Sequence, residues 1–566
     1  MSIPEKQWRK TMITRRRFIQ TLAAAGTTAF ADSIHALNSR TQASTGYFGV
    51  HQFIESHPEA VFIMLTNVDQ KMNADAKKSA GLAFGRSVFV PKDNTGIPIN
   101  ISIPVKPNLK TADPKVYKIE DIIGHVADPF FVEGMFEGMK ELGISGSQFH
   151  IREVNRPEAW GPYFYVDMAK RVGADLRLDL APTVTGLVAG RDYNFKDIPN
   201  GTFWKRIPYL EPVNTPNTWM LNISKFKAHT MGLTLCCKCL QGTAAHNYQQ
   251  FCAAWNSTMS ITQSDRQPDA YTVIKANYDR HVAMGIPRWD RPGQDNISGL
   301  GQETWVTRTL DNLSVTLPGI GLHIIEGIYG RDGQGDGVNG PNPQDQNHVI
   351  DEHGVTATGK AWDYMSNMII FGKDPFRVDN IGYYLGGHEP GNFGLFHIAI
   401  ERKMSTALDP RKIPVYIWDN GAATLTPLEK ITRTPLLSYY LTRNYNGQTE
   451  KIFHLVNEPV DYSKFEKPAG VEESYPETPQ SFVLRQNHPN PFNPLTAIEY
   501  DLPRNGYARL EVYNSNGQLM DVLVDGYQAR GAHMAIWNSN NQASGIYFYR
   551  FRFGDYAETK KMTLLR

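Results

Sequence analysis

The chain has 566 residues, 41% hydrophobic and 20% charged, with a formal net charge of +1. That length implies more than one domain, and the composition is that of a globular protein. Near-neutral charge gives no electrostatic basis for binding nucleic acid, and no apolar run reaches the roughly 18 residues that a spanning helix needs.

The first landmark is Thr14-Arg15-Arg16-Arg17-Phe18, followed by a weakly apolar, alanine-rich stretch over residues 21–30 and by the small residues at Ala29-Phe30-Ala31. Paired arginines before such a segment resemble a twin-arginine export signal. Residues 1–31 are then expected to engage the twin-arginine machinery and to be absent from the mature fold.

From residue 45 apolar runs of strand length alternate with helical patterns. Residues 60–65 read as a strand, a Lys- and Ala-rich helical segment follows, and residues 99–105 alternate as a strand running into Lys106-Pro107-Asn108-Leu109. Asp128-Pro129 opens a helix: Asp caps it, Pro fits its first turn, Phe131, Met135, Met139 and Leu142 share a face, and Gly143 ends it. Residues 147–154 read as a strand, 163–172 as a helix closed by Gly173, and 174–180 as the next strand. Such alternation implies an α/β domain over residues 45–460, with a mostly parallel sheet covered by helices.

Residues 219–242 carry the densest set of chemical groups. The apolar run to Ile223 predicts a strand, residues 224–229 a cationic turn, and Leu233, Cys236 or Cys237, and Leu240 one face of a helix. Lys225, Lys227, His229 and Lys238 occur there without an acid. In open α/β sheets ligands sit beyond strand ends, where helix N-termini attract anions. An anionic small-molecule site is one reading and a solvated basic loop the other. In the first, Lys106, Asn108 and Lys225 bind the ligand, while His229, Lys227 and Lys238 supply acid–base or nucleophilic groups.

The cysteines, Cys236, Cys237, Cys239 and Cys252, contain one C-x-x-C without a second pair. A structural zinc site and an iron–sulfur cluster are both disfavoured. Three alternatives stay open: buried small hydrophobes, a disulfide such as Cys239 to Cys252, or a soft-metal or redox pair.

Residues 321–327 read as a buried strand ending near Glu326, and a glycine-rich loop follows. Gly335, Gly337 and Gly340 fit G-x-G-x-x-G formally, but Pro341 and Pro343 occupy the place of the required helix. The loop is open to a ligand-facing role through Gly333 and Gly335, to a plain surface role, or to a metal role. Residues 368–372 form another strand, and Asp374-Pro375 caps the next helix. Glu326 and Asp379 are the candidate carboxylates for orienting a histidine or holding a divalent metal. Residues 392–404 read as helical.

Residues 461–481 are rich in Pro and Glu and read as a linker. Beyond them the period becomes two, at residues 497–502, 508–513 and 546–551, with turns expected at Asn516-Gly517, Asp525-Gly526 and Ser544-Gly545. Residues 482–566 thus predict a small all-β sandwich.

Two stretches resemble known families. Asn490-Pro491-Phe492-Asn493-Pro494, Leu510-Glu511-Val512-Tyr513, Gly531, Trp537, Ser544-Gly545-Ile546-Tyr547 and Lys561-Met562-Thr563-Leu564 resemble the type A C-terminal sorting domain of the type IX secretion system. That resemblance implies an Ig-like module, contact with the type IX machinery and an extracellular or outer-membrane surface location. Lys106-Pro107-Asn108, Lys225-Phe226-Lys227-Ala228-His229, Lys238, Glu326-Gly327 and Gly372-Lys373-Asp374-Pro375 with Asp379 are similar to the family known as domain of unknown function 362. This chain has Lys238-Cys239 where that family has Lys-Asn, and Glu326 where Asp is usual. It lacks the cysteine-rich segment of many relatives, so no iron–sulfur cluster is implied. The resemblance supplies a fold and a site without a reaction. Two functions follow: binding or processing of an anionic small molecule, or non-catalytic capture of a ligand or polysaccharide at the surface.

Overall fold

The structure, a computed structural model, describes residues 46–109, 118–119, 122–124, 126–154, 164–180, 184–229, 232–245, 248, 260–286, 299–332, 362–436, 442–445, 448–451, 459–465, 482–503, 506–528, 531–539, 542–554 and 556–565. The twin-arginine motif, Cys252 and the glycine loop with Gly333 and Gly335 lie outside them.

The main sheet has eleven strands. They are β1 (Val61–Leu65), β2 (Ile103–Pro107), β3 (Phe149–Ile151), β4 (Asp175–Leu176), β5 (Met220–His229), β6 (Gly232–Thr234), β7 (Ile320–Asp332), β8 (Trp362–Tyr364), β9 (Met368–Gly372), β10 (Val415–Asp419) and β11 (Ala422–Leu425). Their order is β11-β10-β1-β9-β7-β5-β2-β3-β4, with β6 on β5 and β8 on β7. Strands β7, β5, β2, β3 and β4 are mutually parallel. Strand β9 runs against both of its neighbours, so the sheet is mixed.

Besides a short helix at Gln52–Ser56, the α-helices of the described residues are α1 (Ala74–Val88), α2 (Pro129–Lys140), α3 (Tyr165–Val172), α4 (Cys236–Cys239), α5 (Ala270–Ala283), α6 (Gly299–Thr316), α7 (Pro375–Leu385) and α8 (Gly394–Glu401). Alternate strand residues feed opposite faces of the sheet. From β1, Phe62 and Met64 join Phe84, Phe131 and Met135 in one core, whereas Val61 and Ile63 join Val378, Ile381 and Phe396 in another. Helix starts follow local chemistry: Asp128 accepts from the amides of Phe130 and Phe131, and Asp374 from those of Phe376 and Arg377. Helices α1 and α2 approach closely because glycine faces backbone. A Cβ at Gly81 would lie 2.0 Å from Phe131 O, and one at Gly134 1.9 Å from Lys78 O. That approach brings Lys77 of α1 within 2.7 Å of the Asp128 carboxylate at the start of α2.

The sequence reading of residues 219–242 needs correction. No cationic turn interrupts them: β5 runs through to His229 and pairs back with β6, and the helix is the single turn α4. Lys225 can lie within the strand because the buried Glu326 carboxylate stands beside it. The strand read over residues 321–327 is likewise longer, reaching Asp332.

Toward the C-terminus are β12 (Val483–Leu484), β13 (Leu495–Leu502), β14 (Gly506–Asn514), β15 (Leu519–Gln528), β16 (Gly531–Asn538), β17 (Gly545–Phe553) and β18 (Tyr556–Leu564). They form antiparallel sheets ordered β12-β13-β16 and β15-β14-β17-β18, enclosing one core that includes Ile498, Trp537, Tyr549 and Phe551. Asp525-Gly526, expected as a turn, lies within β15, where Gly526 pairs with Ala508 of β14. Of the proline-rich stretch before this domain, Tyr462–Phe465 is a short 3-10 helix, and Tyr462 donates to Glu389 at 2.9 Å.

Candidate functional site

Strand order reverses between β2 and β5. From β2 the chain adds β3 and β4 on one side; from β5 it adds β7 and then β9 on the other. Such a switch point leaves a crevice beyond the C-terminal strand ends, the usual ligand position in open α/β sheets. Lys106 lies opposite Asn222 across this junction, and Lys225 opposite Glu326 on β7.

Both lysines are buried and paired. Lys225 Nζ lies 2.7 Å from Glu326 Oε2, with both side chains fully excluded from solvent, and 3.5 Å from the centroid of the Tyr329 ring. Glu326 also accepts from the amides of Asp128 and Ile328 at 3.0 Å each. Burial lowers the Lys225 ammonium against the opposing pull of Glu326, and burial raises the Glu326 carboxyl against the pull of Lys225. Burial thus draws each partner toward its neutral form. Tyr329 donates to Asp128 Oδ2 at 2.9 Å, and Lys77 holds the same oxygen.

Lys106 Nζ lies 2.5 Å from Glu153 Oε2 and donates to Pro107 O at 2.8 Å. The Glu153 carboxyl, raised by burial and pulled down by Lys106, also accepts from the amide of Leu109 at 3.3 Å. Gly242 closes over this pair: a Cβ there would fall 2.0 Å from Glu153 Oε1 and 2.6 Å from Lys106 Cε. Asn108, at the end of β2, is buried, and among the described residues its Oδ1 has no hydrogen-bond partner. A buried carbonyl oxygen left so is costly unless something else donates to it.

The remaining candidates are more dispersed. Lys227 is buried on β5 in register with Arg331 of β7, His229 ends β5 opposite Gly232, and Lys238 is half-buried on α4. Asp379 of α7 accepts from the amides of Cys236 and Cys237 at 2.7 and 2.8 Å. It therefore caps α4, while burial pushes its carboxyl up to about 7 against the pull of those amides. Glu326 and Asp379 serve different partners. Among the described residues, no group of three or more His, Cys, Asp and Glu side chains is arranged to hold a metal. Cys236, Cys237 and Cys239 are buried free thiols, and burial raises all three. The structure thus places them as small buried groups, and among the described residues none of them forms a disulfide.

Sequence reasoning missed Lys77, Asp128 as a member of the centre, Glu153 and Tyr329. Glu153 had a signal, as an acid just beyond a strand. Lys77 had none, because its role depends on the approach of two helices. His323 also went unassigned. It is buried on β7 beside Asn222, with Nδ1 3.1 Å from Asn222 Nδ2, and burial pulls it down to about 3.

A family model described as the secretion system C-terminal sorting domain matches residues 487–564. The chain therefore carries a type IX sorting domain, which makes it a secreted or cell-surface protein that engages that machinery. Among the described residues no helix is long and apolar enough to cross a membrane. No curated protein matches the chain.

Proposed function

We propose that the α/β domain binds and processes an anionic small molecule at the β2/β5 switch point, with the Lys225–Glu326 pair as its proton-exchanging centre. The observation that carries this reading is the meeting of two buried lysine–carboxylate pairs at the strand reversal, beside the Asn108 oxygen that has no partner among the described residues. Lys227, Lys238 and His229 complete the proposed constellation, and Gly333 and Gly335 belong to the loop proposed to face the ligand. A divalent metal at Glu326 or Asp379 is an optional addition. The resemblance to domain of unknown function 362 supports this assignment. The rest of the proposal is a twin-arginine signal over residues 1–31, an α/β domain to residue 460, a linker over 461–481 and an Ig-like sorting module over 482–566.

The test uses the purified full chain with inorganic phosphate and citrate as probes in thermal unfolding, because a ligand that binds only the folded state raises its stability. Phosphate or citrate should raise the midpoint of the native chain and leave the midpoints of Lys225→Met and Lys227→Met unmoved. No response of the native chain to either anion, or equal responses in both variants, would overturn the assignment.

A further inference from the structure

Asn108 stands between the two lysine–carboxylate pairs of the switch point, and its main chain is fully engaged. Its amide donates to Ile223 O of β5 at 2.8 Å, and its carbonyl accepts from the amide of Ala127 at 2.9 Å. On one side the next amide, that of Leu109, goes to Glu153, the partner of Lys106. On the other, Ala127 precedes Asp128, whose amide goes to Glu326, the partner of Lys225. These bonds hold the residue in place independently of its side chain.

The side chain is different. Asn108 is 7% exposed, and among the described residues nothing donates to its Oδ1. The nearest donors are committed elsewhere: the three protons of the Lys106 ammonium meet Glu153 Oε2, Pro107 O and, at 3.5 Å, Cys239 Sγ. Asn222, opposite Lys106 on β5, also has an Oδ1 without a donor among the described residues, but that residue is wholly enclosed, with its Nδ2 3.0 Å from Cys236 O. Asn108 retains some exposure at the end of β2. A carboxamide oxygen can only accept, so whatever satisfies it must bring an N–H or an O–H. Lys238 of α4 is half-buried, makes no ion pair among the described residues, and its charge reaches the Glu153 carboxyl. It offers a place for an anionic group, and its positive charge opposes a second cation nearby. An O–H therefore suits the Asn108 oxygen better than an ammonium does.

We infer that the ligand of the switch-point site is a small hydroxy acid, its hydroxyl donating to Asn108 Oδ1 and its carboxylate lying against the Lys238 ammonium. This rests on the anionic-ligand reading given above and narrows it to a substrate class. Asn108 is then the residue that distinguishes a hydroxy acid from a simple carboxylate, because a buried acceptor built for a hydroxyl is left unpaired by an analogue that lacks one.

The experiment follows the thermal midpoint of the full chain against the concentration of lactate, propionate and alanine, which carry a hydroxyl, a hydrogen and an ammonium on the same carbon; the concentration dependence gives each dissociation constant. On the native chain lactate should bind at least about tenfold more tightly than either of the others, the difference expected when a buried acceptor gains or loses its donor. That comparison depends on no variant. Asn108→Leu should bring the lactate-to-propionate ratio to near unity, a change that a merely structural role would not produce. Lys238→Met should weaken lactate and propionate by similar factors and preserve their ratio. Equal binding of lactate and propionate, a lactate preference undiminished in Asn108→Leu, or alanine binding as tightly as lactate overturns the inference. Phosphate and citrate are measured on the same samples. A response to them with lactate and propionate equal refutes the hydroxy acid alone, and no response to any of these anions refutes the anionic site itself.

Discussion

Replacing Lys225 by Met tests the buried pair most directly. Methionine keeps most of the side-chain length against Tyr329 but leaves Glu326 with only the amides of Asp128 and Ile328 as donors. The carboxyl, fully excluded from solvent, must then hold a proton to stay in place. From its ordinary value of 4.5, holding it costs about 3 kcal/mol at pH 7 and roughly 1 kcal/mol at pH 5. The sign follows from linkage. A carboxyl whose folded value is raised keeps a proton that the unfolded chain releases, so the variant loses stability as pH rises. Urea unfolding followed by tryptophan fluorescence at both pH values measures this. The variant's deficit relative to the native chain should be about 2 kcal/mol larger at pH 7, and the Lys225→Met, Glu326→Gln double variant should recover most of it. A deficit independent of pH would refute the assignment of a buried, partnered carboxylate at Glu326.

Further substitutions address other parts of the fold. Gly242→Ala drives a methyl into Glu153 and Lys106, so calorimetry should find a loss of about 1–3 kcal/mol; an unchanged midpoint would contradict the close packing of residues 240–245. His281 lies between Glu303 and Glu401 at 2.9 Å each; burial lowers it, but the two carboxylates outweigh that and leave it raised. Its contribution is therefore full below the unfolded value of 6.5 and is lost as pH rises through the folded value. Midpoints across that range should show a steeper decline for the native chain than for His281→Gln, and parallel curves would count against it. Asp374→Ala removes the cap of α7 and should cost about 1 kcal/mol in chemical unfolding; no measurable change would argue against that bond. Deleting residues 482–566 should abolish release and surface display in the native host, as read by immunoblot of medium and cell surface.

The features legible in the sequence are those whose physical cause is local. The caps at Asp128 and Asp374 depend on a side chain reaching amides two or three residues ahead, and both helices begin where their sequences indicate. The two-residue period of β13, β14 and β17 is equally local, since alternate residues along each strand face the core. Asp525-Gly526 shows the limit of that logic. Its turn-forming dipeptide yields to the ladder formed with β14.

The lysine-rich stretch at residues 224–229 shows what sequence could not decide. Cations without a nearby acid suggest a solvated turn, yet the acid that buries Lys225 lies 101 residues further along the chain. Glu153 likewise reaches Lys106 across adjoining strands, and Lys77 reaches Asp128 only because two helices meet through glycines. The amino-acid sequence by itself determined the division into α/β and all-β parts, the helix starts and the sorting domain, all of which rest on short-range periodicity and motif. Tertiary structure alone decided where the strand order reverses, and with it which lysines meet which carboxylates. Charge pairing between buried side chains depends on distance in space, and spacing along the chain does not encode that distance.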